Sequence, residues 1–298
     1  MLIDAHVHIF KSMAGISNGM PITSERYGRM RNGNDLIQFL PPSFENSNST
    51  AETLIAYMDW QKVDKAVLLA NGLYGYHNDY TAHIAKANPD RFRAIALVDI
   101  QKGKAAADEL ELLHKNGLNG LKIEVNSSFQ CQSGRKLDDV ALEPVWEYCH
   151  ASGEPVFLHL FRPDDYPACK RLLKKFPALR LVFCHLGAEP VLHSMPVFED
   201  FMDFIKHGEN LMTDTSSIFY CLPGEYPEEY PFPVSNGLIE RFCNTAGAEK
   251  MLYGSDYPGT LGFATYKQLI DQVRLHCSLS AGALDMIMGK NAEKLLWK

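Results

Sequence analysis

The sequence predicts an α/β protein, a (β/α)8 TIM barrel. Three observations lead there. Eight short runs rich in Val, Ile, Leu and other apolar residues are spaced along the 298 residues, each separated from the next by helical patterning. A tight hairpin cannot join parallel neighbours, so this alternation implies parallel strands with crossover helices. The length suits a single barrel, which routinely uses about 250 residues as one unit. No glycine-rich Gly-x-Gly-x-x-Gly or Walker loop follows the first run. An open doubly wound sheet stays as the alternative, but nothing indicates a dinucleotide or ATP site.

The first ten residues form the opening strand, and they place His6 and His8 two positions apart. Side chains alternate along a strand with period two, so both imidazoles share one face. Residues 11–50 are polar, rich in Gly, Asn, Ser and Pro, and carry Arg26, Arg29 and Arg31. They read as one long loop, and connections of that length are more often functional than idle. The rhythm then begins: a helix over 51–62, a strand over 64–70, a helix over 80–87 and a strand over 92–99. A helix over 104–114 closes at Asn116 and Gly117, and 120–125 is the fourth strand. A helix over 141–151 ends at Gly153, strand five covers 155–160, and a helix over 166–175 stops before Pro177. Strand six is 179–185. One helix over 191–206 carries Phe198, Phe201, Met202 and Ile205 at core spacing. Strand seven is 211–215 and strand eight 250–256, followed by helices over 266–276, 281–288 and 292–297. No internal repeat or low-complexity linker interrupts the chain, which reads as one domain over 1–298.

A formal net charge of −7 without a basic run argues against nucleic acid or an anionic membrane as partner, while allowing a small anionic substrate in a local pocket. Seven cysteines, an odd number with no Cys-x-x-Cys, read as reduced, mostly buried thiols of a cytoplasmic protein. Cys184, inside an apolar run, reads as packing. No signal peptide precedes the first strand and no apolar stretch is long enough to span a bilayer, so a soluble protein is expected. A homo-oligomer is compatible with all of this.

Catalytic groups of such barrels sit at the carboxyl ends of the strands. His6 and His8 lie at the end of strand one, His159 near the end of strand five, His185 at the end of strand six and Asp256 at the end of strand eight. The other seven of the eleven histidines fall on helices or connections. His77, in the loop after strand two, is the exception that could reach the rim. Barrels fill their interior with Val, Ile and Leu, and buried polar groups must find partners, so four strand ends converging as His, His, His, His and Asp point to a metal. Imidazole nitrogen and carboxylate oxygen are the donors that a zinc-like ion takes.

With these residues assembled, the chain resembles the amidohydrolase superfamily, and within it the amidohydrolase-related family that includes lactonases and aminocarboxymuconate-semialdehyde-type decarboxylases. The matching segments are Asp4-Ala-His-Val-His8, Gly120-Leu-Lys-Ile123, Phe157-Leu-His159, Cys184-His-Leu-Gly187, Asp214-Thr-Ser216, Tyr253-Gly-Ser-Asp-Tyr-Pro258 and Gly289-Lys-Asn-Ala292. The resemblance implies a barrel of the metal-dependent hydrolase type. One divalent ion, zinc first and manganese second, would be held by His6, His8, His159 and Asp256, with His185 beside it. It makes Asp256 and His185 catalytic: Asp256 takes and returns a proton of water, and His185 hydrogen-bonds a substrate oxygen where charge develops. In binuclear members a carboxylated lysine or a glutamate on strand four bridges two metals, so Lys122 and Glu124 leave a second ion open. The plainer reading pairs the Lys122 amine with a carboxylate, Glu124 being at hand.

A guanidinium fork binds a carboxylate in bidentate fashion, which makes Arg162, after strand five, and Arg29 and Arg31 candidate substrate contacts beside His77. Residues 219–233, dense in Tyr, Pro and Glu, read as a further wall of the pocket or as a surface loop or oligomer contact. Three functions are then in play. The first is hydrolysis of a small polar or carboxylated molecule, a lactone or similar cyclic ester or amide. The second is non-oxidative decarboxylation on the same residues, and the third a barrel that binds metal without turnover.

Overall fold

The computed structural model describes residues 1–17, 19–124 and 135–297. Eight parallel strands form the barrel sheet. They are β1 (Ile3–Val7), β6 (Lys65–Leu69), β7 (Phe92–Leu97), β8 (Asn119–Glu124), β9 (Pro155–His159), β10 (Arg180–Phe183), β11 (Leu211–Asp214) and β12 (Met251–Leu252). Each pairs with the next in that order. The fourth strand expected from the sequence extends to Val125, which lies outside the described residues. The last strand meets the first: Ala5 N donates to Tyr253 O at 2.8 Å, Asp256 N to His6 O at 2.8 Å and His8 N to Tyr257 O at 2.7 Å. Strand one is buried along its whole length, as a barrel strand covered on both faces must be.

The interior is packed by Ile3, Ala5, Val67, Leu69, Ile95, Phe157, Val182 and Leu252, and Cys184 belongs to this cluster. Around it lie α1 (Ala51–Gln61), α2 (Asn78–Ala87), α3 (Lys104–Lys115), α4 (Glu143–Ser152), α5 (Asp165–Lys175), α6 (Glu189–Leu192), α7 (Met195–His207), α8 (Ile218–Cys221), α9 (Pro233–Ala246), α10 (Tyr266–His276), α11 (Ala281–Asp285) and α12 (Asn291–Leu296). Local chemistry sets their ends. Thr50 caps α1 by accepting from Thr53 N, and Thr265 with Gln268 forms a complete capping box on α10.

Four departures from the sequence reading have physical causes. Residues 11–50 are not a structureless loop. They hold a small antiparallel sheet of β2 (Ile16–Ser17), β3 (Met20–Ser24), β4 (Arg29–Asn32) and β5 (Asp35–Gln38). Its strands are short and largely polar, so alternation is hard to see, although Gly33 at φ +58° turns the hairpin in which Asn32 pairs with Asp35. The single helix expected over 191–206 is two, α6 and α7, because Pro196 lacks an amide hydrogen and its ring would clash with the Leu192 carbonyl. Helix α9 has no counterpart in the sequence reading, although Pro233 stands in its first turn and Ile239, Phe242 and Ala246 line its buried face. The helix expected over 281–288 stops at Asp285 and passes into a π turn over Met286–Lys290. That turn delivers the Ile287 carbonyl to Tyr253 N at 2.9 Å, and Gly289 packs where a Cβ would lie 2.7 Å from Met1 O.

Candidate metal centre

The mouth of the barrel gathers His6, His8 and Asp256 so that one donor atom of each lies within 4.8 Å of the others; His6, His185 and Asp214 form a second such group. The ring orientations are fixed from behind. His8 Nδ1–H donates to Leu69 O at 2.7 Å, and His6 Nδ1–H to Asp214 Oδ2 at 2.9 Å. Each Nε2 therefore carries the lone pair and faces Asp256 Oδ1, His8 at 3.0 Å and His6 at 3.6 Å. The other oxygen of Asp256 accepts from Ser217 Oγ at 2.5 Å. One carboxylate oxygen is thus tethered while the other is aimed between the imidazoles.

His159, from β9, stands beside His185 and outside these two groups. Its ring stacks on Phe161 at 4.0 Å and meets His185 edge-on at 4.4 Å. Among the described residues its buried Nε2 has no hydrogen-bond partner, and its Nδ1 lies 3.9 Å from Glu124 Oε1, beyond hydrogen-bond reach. A buried imidazole nitrogen without a partner is costly unless something else takes its lone pair. This orphan, together with two oriented Nε2 atoms and a tethered carboxylate, fits a divalent ion of the zinc type. His6, His8, His159 and Asp256 would hold it.

Protonation is set accordingly. Burial, helped by the Lys122 charge and opposed by Asp214, pushes His6 down to about 4. Burial, with His185 and Lys122, holds His159 well below the ordinary imidazole range. Burial alone would raise Asp256, but the close approach of His8 and the neighbouring histidines holds it well below the ordinary carboxylate range. Neutral imidazoles facing an ionised carboxylate are the forms that ligate metal.

Behind the ligands stands Asp214, to which the sequence reading assigns no role. Besides His6 it accepts at Oδ1 from His185 N at 2.9 Å, from Ser216 N at 3.1 Å and from Ser216 Oγ. The signal is present in the sequence: Asp214 ends a barrel strand, as the ligand positions do. His185 in turn donates from Nδ1 to Ser216 O at 3.0 Å, which leaves its Nε2 an acceptor while the ring is neutral. It can take a proton or a hydrogen bond from a bound molecule, and it donates to a substrate oxygen only once protonated. His185, Ser217 and Asp256 all adopt left-handed backbone, with φ of 57°, 48° and 59°. Each such conformation costs about 1–3 kcal/mol and persists only where the surroundings over-determine it.

The remaining candidates are engaged by partners outside this donor set. Lys122 is fully buried and donates to Cys184 Sγ at 3.2 Å, with Glu124 Oε1 at 3.9 Å. Glu124 spends both oxygens on the loop after β6, accepting from Asn71 Nδ2 and Gly72 N, each at 2.9 Å. This is the paired, barrel-lining arrangement. Arg29 Nε donates to Arg26 O at 2.9 Å and Arg31 Nε to Glu25 Oε1 at 2.7 Å, both within the small sheet. Arg162 forks onto the buried Asp165 and reaches Arg135 O at 2.8 Å. His77 Nε2 donates to Ser12 O at 3.0 Å and Tyr74 O at 2.9 Å, tying the loops after β1 and β6 together. The structure thus brings His6, His8, His159, His185 and Asp256 together and gives the other six partners of their own.

Known proteins show the same frame. The barrel superposes on a probable 2-pyrone-4,6-dicarboxylic acid hydrolase of Acinetobacter baumannii with TM-score 0.71 and 18% identity, covering 99% of this chain and 98% of that one. It superposes on 5-carboxyvanillate decarboxylase LigW of Sphingomonas paucimobilis with TM-score 0.61 and 21% identity, covering 85% and 84%. At these identities the likeness is one of fold. In sequence, the chain is 26% identical over 277 residues to 2-amino-3-carboxymuconate-6-semialdehyde decarboxylase of Dictyostelium discoideum, covering 83% of this chain and 71% of that one. A family model described as Amidohydrolase matches residues 3–297, from the strand that carries His6 and His8 to the last helix. A match that takes in the whole barrel and every residue of the centre identifies the chain as a member of the amidohydrolase family.

Proposed function

We propose that the chain is a metal-dependent hydrolase that opens a lactone or similar cyclic ester or amide in a small carboxylated molecule. The observation that carries the reading is the aimed donor set: His6 Nε2 and His8 Nε2 converge on Asp256 Oδ1. A divalent ion held there by His6, His8, His159 and Asp256, zinc by its donor preference and manganese next, would supply Lewis acidity and would lower the pKa of water from about 15.7 to near 7. The chain's own groups then handle protons. Asp256 is ionised and takes a proton from the attacking water, and it later delivers that proton to the leaving oxygen or nitrogen. His185 takes a hydrogen bond from a substrate hydroxyl at Nε2 in its neutral form, or donates to the carbonyl oxygen in its protonated form. Arg31 can exchange its partner cheaply, because its pair with Glu25 is 44% and 36% exposed and such pairs are worth about 0–1 kcal/mol. Arg29 and Arg31 contact the substrate from the small antiparallel sheet, with His77 and Arg162 at the rim.

Non-oxidative decarboxylation is the second reading, supported by the decarboxylase named at 26% identity. It uses the same donors, with a proton delivered to carbon in place of attack by water. Turnover in water enriched in heavy oxygen separates the two. Hydrolysis puts one solvent oxygen into the product and releases no CO2; release of CO2 with a solvent hydrogen on the vacated carbon replaces the first reading by the second.

A further inference from the structure

We propose that Tyr74 is a ligand-binding residue of this centre, its hydroxyl donating a hydrogen bond to an oxygen of a carboxylate- or carbonyl-bearing molecule bound beside His8 and Asp256. The proposal rests on the reading of the centre as a metal site. Tyr74 lies in the turn after β6, which is held from several sides. Ala14 N donates to Tyr74 O at 2.8 Å, His77 Nε2 reaches the same oxygen, and Gly75 N donates to Asn71 O at 3.0 Å. Glu124 holds the start of the turn through Asn71 and Gly72. The ring stacks on Phe10 at 4.2 Å and 14°, and its centre is 5.2 Å from that of the His8 ring. A Cβ placed on Gly259, three residues beyond Asp256, would come within 3.3 Å of the Tyr74 hydroxyl. The side chain therefore reaches from the end of β6 across His8 to the loop that carries Asp256.

What sets Tyr74 apart is its hydroxyl. The residue is only 5% exposed. Tyr266 and Tyr166 donate to Asp4 and Asp200 at 2.8 and 2.7 Å, and Tyr80 accepts from Ala51 N at 2.9 Å. The Tyr253 hydroxyl is sealed in with no hydrogen-bond partner among the described residues, and the Tyr257 hydroxyl is sealed in beside Ser49. The Tyr74 hydroxyl is neither bonded to any described residue nor sealed in. Phenylalanine would stack on Phe10 equally well without leaving a polar group unsatisfied. Burial, with the charges of Asp256 and Glu124, holds the phenol well above its ordinary pKa, so it is a neutral donor throughout the working range and no titration is involved.

The test compares the wild type with Tyr74→Phe in two measurements. The thermal midpoint of the metal-free protein should be unchanged or higher in the variant, since no hydrogen bond is lost. Both proteins are then loaded with cobalt(II) and titrated with acetohydroxamate, following the visible absorption of the metal. The variant should retain its cobalt and bind acetohydroxamate about tenfold more weakly, the loss expected for one hydrogen bond to a charged group. Equal affinity in two cobalt-loaded proteins, or a midpoint several degrees lower, overturns the role of Tyr74 and leaves the metal centre standing. A wild type that takes up no cobalt overturns the centre and the proposal with it.

Discussion

Replacing Asp214 by Asn exchanges one atom in a buried cluster, and the geometry around that atom fixes the response. The Asn oxygen can keep the bonds from His185 N and from Ser216 N and Oγ that Oδ1 now accepts. Its amide nitrogen then replaces Oδ2, 2.9 Å from His6 Nδ1, so two donors face each other. His6 resolves the clash by changing tautomer: Nδ1 becomes the acceptor and the proton moves to Nε2, where it occupies the lone pair that ligates metal. Loss of such an outer partner typically costs 10–100-fold in metal affinity, or about 1.4–2.7 kcal/mol. Competition for zinc against a chromophoric chelator measures the affinity, nitrogen shifts of the His6 ring by NMR report the tautomer, and a thermal melt of the metal-free protein checks the fold. Wild-type zinc affinity with the His6 proton still on Nδ1 would refute the reasoning.

Three further outcomes are expected. Ser217→Ala removes the hydroxyl that donates to Asp256 Oδ2, and the carboxylate should lose part of the support for its charged form; the acid limb of the rate profile should move to higher pH with metal content unchanged, and an unmoved limb would return Ser217 to a purely structural place. Phe157, fully buried in the barrel interior, should cost about 3–5 kcal/mol on truncation to Ala, read from denaturant midpoints at constant slope. A cost under about 1 kcal/mol would mean that the interior collapses onto the cavity. Arg31→Ala should raise KM while leaving kcat and metal in place, whereas Arg162→Ala should also lower stability, because it strips the buried Asp165 of its charged partner and leaves it only the amides of residues 161 and 162; unchanged kinetics in both would remove them from the substrate contacts.

The eight barrel strands are legible in the sequence because strands buried on both faces are nearly continuous apolar runs, and the histidines are legible because they interrupt those runs at their ends. The elements that sequence reasoning misses lack such contrast. In β3 and β4 only Ile22, Met30 and Asn32 face inward, too few positions to establish a period of two across proline and paired charges. The buried face of α9 includes Ser235 and Asn236, whose polarity dilutes its helical stripe. Asn236 is there because its side chain donates to Pro231 O at 2.7 Å, a pairing that no local pattern announces. Tertiary partners decide these cases, and the partners are distant in sequence.

The same distinction explains why the ligands can be read and their support cannot. His6 and His8 announce themselves by spacing within one strand. Each depends on a group far along the chain, Asp214 for one and the Leu69 carbonyl for the other. The carbonyl has no sequence signature, since any residue at position 69 would supply it. Asp214 has one only if strand ends are treated as equivalent, so that an acid at the end of β11 is weighed with those already counted. Closure supplies that equivalence. Because β12 returns beside β1 through Ala5, His6 and His8, the ends of β1, β6, β11 and β12 face a common space. An ionisable residue at any of them is held near the ligands by the barrel itself, and what remains to be learned from coordinates is which of its atoms points inward.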